Sequence, residues 1–263
     1  MGDSYIYKNQ KKLRWGYTTG TCAAAASLAA AVMLLRGRRM EQVSLTTPKG
    51  VRLDLEVEEM ETGKNCVCCG VRKDAGDDPD VTDGLMVYSQ VRLPDADSGG
   101  AGDAREAGDN TEAGDDRNAC GDYVYEKDGL RLILSGGVGV GRVTQCGLSC
   151  EVGKAAINPV PRQMIFEQVA GVCRESGFKG VLSIEIRVPE ALKVADKTFN
   201  SRLGIQGGIS ILGTSGMVEP MSETALLDTI RLELRQRIRK GEKNLLVTPG
   251  NYGESFVGTV LGL

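Results

Sequence analysis

The chain has 263 residues, with 32 Lys and Arg against 35 Asp and Glu and a formal net charge of −3. That balance excludes a basic nucleic-acid binder, whose affinity comes from neutralising phosphates. There is no histidine, so imidazole metal ligands and histidine-based triads are excluded, leaving Asp, Glu, Lys, Tyr and Cys as acids and bases.

A hydroxyl-rich stretch, Tyr17-Thr18-Thr19-Gly20-Thr21, runs into an uncharged apolar segment from Cys22 to Leu35. A bilayer span needs about 20 apolar residues, so this segment reads as a helix inside a protein rather than a membrane crossing. A secretory leader fits poorly, because the polar stretch precedes the run and the small residues lie within it. Free N–H groups and the positive end of the helix dipole face whatever docks before Cys22. Thr18, Thr19 and Thr21 are therefore candidates for holding an anion or carboxylate; a plain helix cap is the alternative.

Val43–Thr47 and Val51–Val57 alternate around Pro48-Lys49-Gly50 and predict a hairpin. Cys66–Arg72 is the next strand. Alternation sends Cys68 and Cys69 to opposite faces, so the Cys66, Cys68, Cys69 run reads as small buried hydrophobes in a reducing, cytoplasmic setting, and no metal site is expected. Lys73-Asp74-Ala75-Gly76-Asp77-Asp78-Pro79-Asp80 follows. Its aspartates repel one another, so Asp77, Asp78 and Asp80 are candidates for gripping a cation or accepting a proton; a solvated turn is the bland alternative.

Leu85–Val91 and Leu130–Leu134 predict further strands. Between them, residues 93–122 hold nine of the acidic residues but two of the basic ones, with Ala-Gly-Asp recurring at 101–103, 107–109 and 113–115. So little apolar surface cannot offset chain entropy, which predicts an unstructured loop capping a hairpin. Without it the rest of the chain carries a net charge of about +4, suited to a small anionic substrate.

Ser135-Gly136-Gly137-Val138-Gly139-Val140-Gly141-Arg142 reads as a glycine turn. Its Gly137-x-Gly139 spacing misses the dinucleotide fingerprint because Arg142 stands where that pattern needs a small residue. Arg142, and Arg162 at the end of Asn158-Pro159-Val160-Pro161-Arg162, are candidates for gripping carboxylates bidentately. Helices are predicted at Pro161–Ser176 and Met221–Lys240, and strands at Val181–Val188 and Asn244–Val247. Gly213-Thr214-Ser215-Gly216, just before the second of these helices, reads as a generic nucleotide or cofactor cradle or as a tightly packed turn.

The fold class these elements predict is α/β. Residues 1–188 make an α+β part with a mostly antiparallel sheet and the acidic loop. Residues 189–263 begin an α/β part with a parallel strand–helix unit. Strand neighbours for Asn244–Val247 are too few, so the expectation is a chain shortened at its C-terminal end or completed by another subunit, a homo-oligomer included.

Six blocks occur in order: Gly16–Ala25, Asp74–Thr82, Gly139–Thr144, Ile157–Arg162, Gly204–Gly216 with Val218–Ser222, and Thr248–Gly253. Together they resemble the CbiD family, the cobalt-precorrin-5B C-1 methyltransferases of anaerobic cobalamin synthesis, from about Leu13 onward. Members of that family continue well past the last block, with a His-Ile-Gly-Lys-like segment absent here.

The resemblance implies S-adenosylmethionine as methyl donor and a cobalt-containing tetrapyrrole as substrate, with the cobalt arriving on the substrate and no membrane or nucleic-acid partner. It implies that Arg142, Arg162, Arg202, Asn158 and the Thr18–Thr21 entrance meet the macrocycle's acid arms. Gly213, Thr214, Ser215, Gly216, Glu219, Gly250, Asn251 and Gly253 would meet the donor, and a proton acceptor would come from Asp77, Asp78 or Asp80. Two other readings stay open: a small-molecule kinase of the GHMP type, and a corrinoid-binding remnant without activity.

Overall fold

Alternation of apolar and polar side chains builds the strands of the first of two units, Met1–Glu223. The computed structural model describes residues 5–8, 10–94, 121–244 and 250–260. β1 (Tyr5–Lys8) pairs with β2 (Lys11–Arg14), and β3 (Gly16–Tyr17) leads into α1 (Thr19–Arg36). β4 (Gln42–Thr46) and β5 (Arg52–Glu56) form the expected hairpin. β6 (Glu58–Thr62), β7 (Cys66–Arg72) and β8 (Met86–Arg92) follow, then β9 (Tyr123–Lys127) and β10 (Leu130–Gly136). The short β11 (Gly139–Val140) and β12 (Arg142–Val143) precede α2 (Pro159–Glu175) and β13 (Gly180–Arg187). β14 (Ile205–Gln206), β15 (Gly208–Ile209) and β16 (Met217–Val218) complete this unit. The second unit, Thr224–Leu263, holds α3 (Glu223–Arg239, whose first residue still belongs to the first unit) and α4 (Gly250–Val260). The predicted strand Asn244–Val247 lies, apart from Asn244, outside the described residues, as does the Ala-Gly-Asp repeat.

The α/β class holds, with one change of connectivity. The main sheet has six strands in the order β6-β7-β8-β13-β10-β9. β13 inserts between β8 and β10, antiparallel to the first and parallel to the second, with α2 as the crossover. The acidic segment therefore does not cap a hairpin: it joins β8 to an edge strand, and the hairpin is β9–β10 across Asp128 and Gly129. The cause is the composition of β13. Its Leu182, Ile184 and Ile186 are fully buried, and a strand that apolar on one face takes a central place.

α1 lies against β7 and β8, α2 against β10, and the two helices against each other. α1 has the length and composition of a membrane crossing, but most of it is buried inside this unit. Ala23–Ala26 and Ala29–Ala31 have no exposed surface, which lets the backbones of helix and sheet approach closely. Replacing Ala25 by Leu forces new volume into that contact. We expect a loss of about 2 kcal/mol, read as a lower urea midpoint with unchanged slope.

Candidate functional site

The N-terminus of α1 organises the region. Thr18 has extended backbone angles, and its Oγ1 accepts the Thr21 N–H at 3.3 Å. The Thr21 hydroxyl donates to the Gly216 carbonyl at 2.7 Å, and the Thr18 N–H donates to the same oxygen at 3.1 Å. Gly20 N–H donates to the Leu212 carbonyl at 3.0 Å, while Thr19 Oγ1 accepts Leu212 N–H at 3.0 Å. The segment 210–216 is thereby strapped across the helix entrance.

The same segment holds the start of α2. Ile157 bridges Ile211 in parallel, and Asn158 N–H donates to the Ile211 carbonyl at 2.9 Å. β16 pairs with β3, β11 with β15, and β12 with β14. The Asp74 carbonyl accepts Tyr17 N–H at 2.9 Å, and Trp15 bridges Gly76. Five of the six sequence blocks thus pack on one another. In the sixth, Thr248 and Pro249 lie outside the described residues, and Gly250, Asn251 and Gly253 fall at the start of α4 in the second unit.

The glycines of these blocks meet protein. A Cβ on Gly139, at φ 78°, would stand 1.8 Å from the Val188 carbonyl oxygen, and one on Gly213, at φ 138°, 2.1 Å from Thr18 Oγ1. Their absent side chains serve close approach of chain to chain. What the 213–216 turn does present is backbone. The N–H groups of Gly213, Thr214 and Ser215 have no acceptor among the described residues, and Thr214 is exposed.

The aspartate loop is stitched from within. Arg14 grips Asp74 with two bonds of 2.6 and 2.7 Å, and these bonds hold the Asp74 carboxyl below its ordinary value. Asp77 accepts Arg14 N–H at 2.6 Å, and Asp78 accepts Met221 N–H at 2.8 Å, tying the loop to residues 218–222. Asp80 receives the Lys73 ammonium at 2.8 Å as well as the Thr82 N–H and hydroxyl. Burial alone would raise Asp80, but Lys73 and Thr82 outweigh it and the carboxyl is held low. Glu219 pairs with Lys8 at 2.9 Å.

The remaining candidates divide. Thr18, Thr19 and Thr21 are buried, with their hydroxyls engaged as above. Arg142 donates to Asp122 at 2.6 Å, and that carboxylate also accepts the Gly136 and Ala155 N–H groups at 3.0 Å. Asn158 Oδ1 faces the Cys150 thiol at 3.6 Å. Arg202 is exposed on the turn before β14. Arg162 lies over the Tyr123 ring, 3.9 Å from its centroid, with its Nε buried and without a hydrogen-bond partner. Sequence reasoning passed over Arg14, Asp122 and Tyr123. Asp122 was hidden at the end of the acidic segment, and Arg14 carries no motif.

The CbiD family model matches residues 6–220. The cobalt-precorrin-5B C(1)-methyltransferase of Ruminiclostridium cellulolyticum is 46% identical over 99% of this chain and 59% of its own length. The one from a Thermoanaerobacter species is 47% identical over 96% of this chain, again 59% of the relative. The chain therefore spans about three-fifths of the length of the curated relatives it matches. The crystal structure of the cobalamin biosynthesis protein CbiD from Archaeoglobus fulgidus is 30% identical, with a TM-score of 0.53 over 87% of this chain and 62% of that one. On the family match, the relatives and the shared fold, this chain belongs to the CbiD family.

Proposed function

We propose that this chain acts in cobalamin biosynthesis as the larger part of an S-adenosylmethionine-dependent methyltransferase that methylates C-1 of cobalt-precorrin-5B. The observation that carries the reading is the packing of four separate sequence blocks on a fifth, residues 204–222, in a chain whose curated relatives bear that name.

S-adenosylmethionine, when bound, supplies an electrophilic methyl group on a sulfonium, so the protein needs no nucleophile of its own and works chiefly by placement. The open N–H groups of Gly213, Thr214 and Ser215 and the exposed Thr214 hydroxyl fit a carboxylate or ribose oxygen, and these residues would hold the donor. Gly216, at φ 76°, shapes that turn. Glu219 serves this turn through Lys8, which also binds the Pro220 and Met221 carbonyls. A proton released from the substrate would be held at Asp77 Oδ1 or Asp78 Oδ2, because the other oxygen of each carboxylate is already bonded to backbone. Asp80 is committed to Lys73 and supports the loop. Seven free cysteines among the described residues support a reducing, cytoplasmic location.

The test is anaerobic incubation of the purified chain with cobalt-precorrin-5B and methyl-labelled S-adenosylmethionine, beside the full-length Ruminiclostridium relative. One labelled methyl group in the product of both is the expected result. Label from the relative alone would show that this span does not suffice. Saturable ATP binding without S-adenosylmethionine binding would overturn the reading altogether.

A further inference from the structure

A cavity of about 720 Å³ opens between β9 and the first turns of α2. Its wall is aromatic: Tyr125 and Phe166 stack with centroids 5.7 Å apart, and Tyr123 lies beside them carrying Arg162 on its face. Burial pushes the Tyr123 phenol up, so it stays protonated and donates to the Ala155 carbonyl at 2.7 Å, which fixes the ring.

The charged side chains around this cavity each have a partner among the described residues, with one exception. Asp122 is neutralised by Arg142, Lys154 pairs with Glu151 at 3.3 Å, and Glu167 accepts from Gln163 at 2.8 Å. The Arg162 guanidinium has no carboxylate and no hydrogen-bond partner among the described residues, although its Nε is buried. Arg14 and Arg142 of this unit are bonded to acids, and Arg187, whose Nε is also buried without a hydrogen bond, still lies 3.5 Å from the Glu185 carboxylate. A half-buried guanidinium left with only a ring beneath it offers five N–H donors to a planar acceptor. The apolar wall beside it suits a flat, unsaturated ring.

We propose that this cavity is a binding site for one carboxylate-bearing, pyrrole-derived ring. Arg162 clamps the carboxylate, Tyr123 backs the guanidinium, and Tyr125 and Phe166 face the ring. The inference rests on the tetrapyrrole reading above and narrows it: of the arginines assigned to the substrate, Arg162 reads an acid arm, whereas Arg142 holds Asp122 and the fold.

The experiment uses the whole chain and two cobalt corrins that differ only in their arms: dicyanocobyrinic acid, which carries carboxylates, and dicyanocobinamide, which carries amides. Binding is followed by the change in corrin absorbance. Wild type should bind the acid at least tenfold more tightly, and Arg162→Gln should weaken the acid about tenfold while leaving the amide unchanged. Arg162→Lys, which keeps the charge but loses the fork, should fall between. It also serves if the glutamine variant does not fold. Arg36→Gln, which breaks an exposed pair with Glu175 at the far end of α2, is the control and should change neither. Equal affinity of wild type and both Arg162 variants for the acid overturns this inference and leaves the methyltransferase reading standing. Failure of wild type to bind either corrin overturns both.

Discussion

Replacing Gly213 by alanine should lower stability by about 3 kcal/mol or more and the melting temperature by roughly 10 °C. Two costs add. The backbone sits at φ 138°, where side chains are strained, and the new methyl would lie 2.1 Å from Thr18 Oγ1 and 2.5 Å from Thr18 Cβ. Thr18 cannot step aside, because it caps α1 and its N–H holds the Gly216 carbonyl. The damage should therefore spread to the helix entrance and to the open amides of residues 213–215. Gly37→Ala is the comparison. Gly37 is left-handed too, at φ 62°, but its Cβ position is open, so that variant should lose only about 1 kcal/mol of strain. Thermal melts of the two proteins decide it: equal losses would mean that strain alone, and not the Thr18 contact, accounts for Gly213.

Lys73→Met should be the most destabilising change in the aspartate loop, by about 3 kcal/mol. The Lys73 side chain is 3% exposed and reaches Asp80 at 2.8 Å, so its removal strands a partly buried carboxylate. Asp80→Asn in the same chain should recover much of the loss, since an amide has no charge to strand. The pH profile follows from the same contacts. The folded state holds Asp74 and Asp80 below their ordinary values, the first chiefly through Arg14, the second through Lys73 against the opposing effect of burial. A carboxyl depressed on folding adds stability that is fully present above its unfolded value, near 4, and lost as pH falls through the folded value. Wild type should thus keep a level melting temperature from neutral pH to about 5 and lose it steeply below 4. Lys73→Met/Asp80→Asn should fall less steeply over that acid range.

Much of the local structure was legible because local chemistry dictates it. The β4–β5 hairpin, β7, α1 and β13 stand within a few residues of where alternation and helix signals put them. α2 begins two residues earlier than expected, because Pro159 is at home in a first turn. β9 was missed: Tyr123–Lys127 follows directly on the acidic segment, whose composition masked a short strand that pairs with β10. The roles of side chains were less legible. The threonines of the α1 entrance stand out in sequence for their hydroxyls, yet those of Thr19 and Thr21 turn inward to carbonyls more than 190 residues away and that of Thr18 caps the helix at Thr21.

By itself, the order and chemistry of six blocks determined the family, since motif identity needs no coordinates. Amphipathic period and glycine placement determined most elements, since those are properties of neighbours along the chain. Only the tertiary structure decided that β13 enters the sheet between β8 and β10, that Arg142 spends its charge on Asp122, and that Arg162 keeps its own. Such pairings depend on which partner lies within about 3 Å in space, and separation in sequence carries no information about that distance.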